Sequence, residues 1–268
     1  MIMGGRLMGQ LYCIPKLDEL ESYIRFSDKY NAGFEYNEFF LPKILDDEIS
    51  KERIIKKYMS CGRDVSEDTL HGAFFDIVVN SDDKRIFDVS SLRVHQCMDI
   101  AKKMGIKAVI FHTNYIVNFR LQSYIDSWLD RNEKFWKSIL SEYPNQMIYI
   151  ENMFDDAPGM LLNLYERMSD EPRFKVCLDV AHAFISGKPI ENWYAAFQNK
   201  IGHLHINDND ADQDLHLPVG SGRFDWSKYN QWCKNSKIEP SVLIEVRGFD
   251  DLTKSADFMI KNHLYPFD

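Results

Sequence analysis

"KAVIFHTNY" (107–115) and "QMIYIENM" (146–153) decide how this chain folds. Each is a short apolar run, rich in β-branched and aromatic residues, that closes on a polar side chain: His112 in the first, Glu151 in the second. Runs this short, apolar on both faces, fit strands buried in a parallel sheet. Working outward, six more runs share the pattern: "GQLYCIP" (9–15), "AGFEYNEF" (32–39), "TLHGAFFDIVV" (69–79), "KVCLDVAHA" (175–183), "IGHLHIND" (201–208) and "SVLIEVRG" (241–248). Longer amphipathic stretches separate them. "LDELESYIRFSDKY", "DEISKERIIKKYMS" and "SSLRVHQCMDIAKKMG" carry apolar residues at helical spacing, as Leu92, Cys97, Ile100 and Met104 do in the last.

Strand alternating with helix requires a parallel sheet, because parallel neighbours need crossover connections. Eight such units in 268 residues match the size of a closed (β/α)8 barrel. An open doubly wound sheet usually shows a glycine-rich phosphate turn after its first strand, and none occurs here. The expectation is an α/β protein, one TIM barrel domain spanning residues 1–268. No linker-like or low-complexity tract interrupts the chain.

Composition narrows the function. The net charge of −9, from 32 basic and 41 acidic residues, disfavours nonspecific attraction to nucleic acid or anionic membranes. No apolar run is long enough to span a bilayer, and the N-terminus lacks an export signal pattern. Five widely spaced cysteines without a CxxC pair read as reduced thiols of a cytoplasmic protein.

In such a barrel, chemistry sits at the C-terminal strand ends. From the third strand candidate to the eighth, each carries a potential metal ligand there: His71, His112, Glu151, Asp179 with His182, His205, and Glu245. Taken singly, Glu151 and Glu245 read as surface residues, His112 as a hydrogen-bonded core histidine, and Asp179 as a helix N-cap. Taken together they do not. Six of the eight histidines fall at strand ends or in the segment after the seventh strand. Carboxylates buried at adjacent strand ends would repel one another without a cation. Mixed imidazole and carboxylate donors suit zinc, manganese, iron or cobalt better than calcium.

The segment "LHINDNDADQDLHLPVGSG" (204–222) adds Asp214 and His216, one residue apart, so both could reach a common ion from an extended loop. His203, His205 and Asn207 share a strand face by the two-residue period, with His205 the expected ligand and His203 one step deeper. Gly220 and Gly222 would let the loop turn tightly.

These residues, from "LHGAFFD" to "LIEVRG", resemble the xylose-isomerase-like TIM barrel superfamily. It includes endonuclease IV, sugar isomerases and epimerases, and inositol-catabolism enzymes (AP endonuclease family 2). The resemblance implies one ion held by Glu151, Asp179, His205 and Glu245, as in the isomerases. It also implies, as in endonuclease IV, further ligands His71, His112, His182, Asp214 and His216 for a cluster of up to three zincs. All nine positions are filled. The stretch "NEFFLPKILDDEISKER", where endonuclease IV has a DNA-gripping loop, carries no arginine cluster.

Two reactions follow. A metal-dependent sugar isomerase or epimerase would use one zinc or manganese to stabilise an enediolate, with Glu151 and Glu245 as base and acid. Arg247, His112 and His182 would contact the substrate. A phosphoesterase would use two or three ions to activate water. The acidic balance tilts the expectation towards the isomerase or epimerase, with a small carbohydrate-like substrate; a barrel that only binds metal or sugar, and a homo-oligomer, stay open.

Overall fold

The computed structural model describes residues 8–236 and 238–267. The export pattern expected to be missing from the N-terminus concerns residues that lie partly outside this range. Eight parallel strands close in the order β1 to β8: β1 (Leu11–Cys13), β2 (Gly33–Tyr36), β3 (Thr69–His71), β4 (Ala108–His112), β5 (Met147–Glu151), β6 (Phe174–Asp179), β7 (Ile201–Ile206) and β8 (Ser241–Ile244). Among the described residues, ten α-helices connect or follow them: α1 (Leu20–Tyr30), α2 (Pro42–Leu45), α3 (Glu48–Met59), α4 (Lys84–Met104), α5 (Gln122–Glu142), α6 (Gly159–Arg167), α7 (Val180–Ile185), α8 (Ile190–Phe197), α9 (Trp226–Asn235) and α10 (Phe249–Lys261). The fold is a (β/α)8 barrel, as the alternation of elements demands.

By internal packing the chain forms two compact units. One comprises Met1–Glu35, Phe154–Pro158 and Cys177–Asp268; the other comprises Tyr36–Met153 and Gly159–Val176.

In the second unit, β4 is buried along its whole length. Its register on β5 sets His112 opposite Glu151, and its register on β3 sets His71 opposite Ile110. Thus three polar side chains end three neighbouring strands. Helix α4 begins at Asp83, whose carboxylate accepts the Arg85 N–H at 2.8 Å, and stops at Gly105, where φ is +80°. Its buried stripe of Val94, Cys97, Met98, Ala101 and Met104 has the spacing of one helix face. Beneath β4, Phe111 packs on Trp136 of α5 with ring centroids 5.2 Å apart.

In the first unit, β7 and β8 pair with His205 opposite Leu243 and Ile206 opposite Ile244, so Glu245 follows directly on β8. The expected runs reach beyond the strands, and two show why. The run 69–79 is a strand only to His71, and Phe75 beyond it is 69% exposed. The run 175–183 turns helical at Val180, because Asp179 caps α7. Cys13, Cys97, Cys177 and Cys233 are buried, and Cys61 is partly buried. No helix among the described residues is long and apolar enough to cross a membrane.

Candidate metal centre

In the second unit, His71, His112 and Glu151 converge. Each offers a ligand atom, and these atoms lie within 4.8 Å of one another. His112 Nε2 is 3.1 Å from Glu151 Oε2, and His71 Nε2 is 3.9 Å from the same oxygen. All three are nearly excluded from water, Glu151 at 1% exposure. His71 Nδ1 lies 3.0 Å from the Gly72 carbonyl. A carbonyl can only accept, so Nδ1 carries the proton and the Nε2 lone pair faces Glu151. The Phe74 ring stands edge-on to both imidazoles, at 5.5 and 5.1 Å, and shields them.

In the first unit, Asp179, His205 and Glu245 form a group with the same spacing. Asp179 is indeed an N-cap: its Oδ1 accepts the His182 N–H at 2.6 Å. The cap engages one carboxylate oxygen, and Oδ2 is turned to the His182 ring, 3.8 Å from Nδ1. The helix-cap and ligand readings of Asp179 are therefore compatible. His205 is fully buried, with Nδ1 3.3 Å from Glu245 Oε2 and Nε2 3.2 Å from Glu35 Oε1.

Glu35 is the residue that sequence reasoning passed over. It is fully buried on β2 and also lies 3.3 Å from His203 Nε2, whose Nδ1 is 2.6 Å from the Ser241 hydroxyl. Burial alone would raise the Glu35 carboxyl; the charge of His205 and hydrogen bonds from His203 and His205 hold it well below the usual carboxylate range. A carboxylate accepting Nε2–H fixes the His205 tautomer with Nδ1 open towards Asp179 and Glu245, the arrangement that orients metal-bound histidines. The available signal was a charge between Phe34 and Tyr36 in a strand candidate.

A second cluster of the first unit comes from the loop after β7. Asp214 Oδ2 sits 3.3 Å from His182 Nε2 and 3.1 Å from His216 Nε2. Asp214 Oδ1 is buried and accepts no hydrogen bond among the described residues. Burial opposes the Asp214 charge, yet hydrogen bonds and charges from His182 and His216 pull its carboxyl well below the ordinary range. For His216 the balance runs the other way. Burial lowers it, but Glu245 and Asp214 together raise it to about 9. The loop is not uniformly a ligand arm: Asp210 is a surface turn that accepts the Asp212 and Gln213 N–H groups. Arg247 projects an exposed side chain just past β8, with no hydrogen bond or ion pair to it among the described residues.

Clusters of buried imidazole and carboxylate, with an unsatisfied carboxylate oxygen in one of them, fit divalent cations of the zinc or manganese type. A model of the xylose isomerase-like TIM barrel family matches residues 30–262. The chain belongs to that family. Among curated relatives of this family member, it is 30% identical over 195 residues to the uncharacterized protein MJ1614 of Methanocaldococcus jannaschii, covering 70% of this chain and 74% of that protein. It is 24% identical over 204 residues to the uncharacterized protein MJ1311 of the same organism, covering 72% and 69%. Among solved structures it resembles a D-tagatose 3-epimerase-like protein (TM-score 0.74, 22% identity, 93% of this chain and 96% of that one). It also resembles an IolI protein with a bound zinc atom (0.71, 15%, 93% and 96%) and SacUVDE (0.68, 12%, 96% and 99%). At these identities the structures share the barrel.

Proposed function

We propose that this family member is a metal-dependent hydrolase of phosphate esters, acting on a small carbohydrate-like molecule. The observation that carries this reading is Asp214 seated between His182 and His216. A one-ion isomerase has no need of that cluster, nor of His71 and His112. Bound ions would supply Lewis acidity and would lower the proton affinity of water.

The chain's own residues supply the rest. Three donor sets are assigned: His71, His112 and Glu151; Asp179, His205 and Glu245; and His182, Asp214 and His216. The Gly72 carbonyl and Glu35 lock the His71 and His205 rings, so that no reorientation is needed on binding. Glu245, whose side chain is 12% exposed, would hold or move a proton near the reacting atoms. Arg247 is free to meet a phosphate or hydroxyl group. The charge of −9 speaks against a nucleic-acid backbone as substrate, and the epimerase in the name of a structural neighbour supports a sugar portion.

A one-ion sugar isomerase or epimerase is the second reading, favoured by the Asp179, His205 and Glu245 group. Glu245 would then move the proton, and His182 would contact substrate. One experiment separates the two. Protein reconstituted with zinc or manganese is offered a panel of sugar phosphates, with phosphate release and solvent-deuterium uptake at carbon followed together. Phosphate release that falls in Asp214→Ala is expected. Deuterium uptake without phosphate release, unaffected by Asp214→Ala, would overturn the hydrolase in favour of the isomerase.

A further inference from the structure

We propose that Asp208 is a positioning residue: its buried carboxylate folds residues 209–226 into the arm that holds Asp214 and His216 against His182. This rests on the donor set His182, Asp214 and His216 proposed above. Asp208 is 1% exposed, and its two oxygens accept four hydrogen bonds. Oδ1 takes the Asn209 and Phe224 N–H groups, both at 3.0 Å. Oδ2 takes the Gly220 N–H at 3.0 Å and the Trp226 indole N–H at 2.8 Å. With its lone-pair sites so occupied, this acid is not a ligand. It is the hub of the loop.

Three of the four donors, from Gly220, Phe224 and Trp226, come from the far side of the loop, so the carboxylate ties its beginning to its end. The backbone does the same: Asp208 and Leu217 exchange both N–H···O bonds at 2.9 Å, closing an antiparallel bridge around residues 209–216. Asp214 and His216 lie within that closed stretch. Three further ties orient it. Asn209 donates from Nδ2 to the carbonyl of Ala181, the residue before His182, at 3.2 Å. The Val219 N–H donates to the buried Ser255 hydroxyl of α10 at 3.0 Å. His216 Nδ1 lies 3.1 Å from the Glu245 carbonyl, which leaves Nε2 to face Asp214. His216 itself has φ of +49°, a left-handed conformation that a non-glycine residue keeps only where surrounding contacts enforce it. Gly222 fits under the hub because it has no side chain: a Cβ there would collide with the Asp208 carboxylate and the Asn209 carbonyl.

The hub consists of protein groups alone, so the arm is formed before any ion arrives. The test uses the full chain, with Asp208→Asn and Trp226→Phe. An amide in place of the carboxylate cannot accept at both ends; the tryptophan change deletes one bond of the four. In chelator-treated protein, the Gly220 and Phe224 amides should exchange slowly in the wild type and at least tenfold faster in Asp208→Asn. On titration with zinc, the variant should bind its last ion about ten- to a hundredfold more weakly, the usual scale for supports of a ligand shell, while the other ions bind as before. Trp226→Phe should show the same pattern more weakly, and it decides the matter if Asp208→Asn does not fold. Unchanged zinc affinity, or equal weakening of every ion, would overturn the proposal. A wild type that takes up only one zinc refutes the three donor sets, and the exchange rates then decide the role of Asp208 alone.

Discussion

The clusters at His71, His112 and Glu151 and at His182, Asp214 and His216 are built from similar donors by opposite means. The first stands on three paired strands, where register alone sets His112 opposite Glu151. The other takes two of its three members from an irregular loop. A strand ladder positions ligands through hydrogen bonds it would make anyway; a loop must be given its shape by specific side chains. Strand-borne ligands should therefore tolerate changes nearby, and loop-borne ligands should fail when the support of the loop is disturbed.

The largest expected effect lies where the strands end. Glu245→Gln keeps the shape of the side chain but removes its charge, and turnover should fall by roughly 10²–10³-fold, the scale for loss of one charged group at a reacting centre. Circular dichroism and urea midpoint should stay near wild type, because the side chain is partly solvated. Full metal content with full turnover would remove Glu245 from both assigned roles.

Next comes the loop itself. Asp214→Ala with His216→Ala should release one ion per chain and leave the strand-borne sets loaded, measured by elemental analysis after dialysis. If metal content is unchanged and substrate binding weakens instead, the arm contacts substrate, and the two clusters differ in purpose as well as in construction.

A smaller, purely steric effect is expected at Gly222. Its alanine variant should lose about 1–3 kcal/mol by urea unfolding, the usual cost of overpacking a filled site. Gly62, with φ of +67° but open space around a Cβ, gives the contrast. Alanine there costs only what the left-handed backbone demands.

The smallest effect is a pH dependence of the metal-free protein. The His216 value of about 9 lies above its ordinary 6.5, so folding favours the protonated ring. That stabilisation is complete below about 6.5 and is lost as pH rises through 9. Asp214, shifted down, contributes above the ordinary carboxylate range and loses its contribution only in acid. With chelator present, the urea midpoint of the wild type should fall between pH 6.5 and 9.5 more than that of His216→Ala. Equal slopes would show that the ring gains nothing from Asp214 and Glu245. Loading ions displaces the same proton, so zinc affinity should rise over this interval.

How much of this was legible in the sequence follows the same division. The barrel was, since eight apolar runs separated by helical stretches leave few other topologies. So were His71, His112, Glu151, Asp179, His205 and Glu245 as strand-end residues, because each interrupts or closes an apolar run. The lengths of β3 and β6 were not: "GAFFDIVV" is as apolar as a strand yet leaves Phe75 in solvent, and Asp179 ends its strand by capping α7. Glu35 was hidden because one charge in "GFEY" looks like an edge residue until two histidines from β7 are seen to meet it. In "HINDNDADQDLH" the acids are alike in sequence and unlike in space. Asp208 is a buried hub, Asp210 a surface turn, and Asp214 a member of the third cluster. Hydrogen-bond donors from residues 220–226 make that distinction, and no local pattern announces them.

The most direct test of the centre is the number of ions each chain holds. Protein purified without chelator, then equilibrated with zinc and freed of excess, should carry close to three ions per chain by elemental analysis. Asp214→Ala/His216→Ala should carry close to two. A wild type that saturates at a single ion, unchanged in that variant, would contradict the three donor sets and leave a one-ion sugar isomerase.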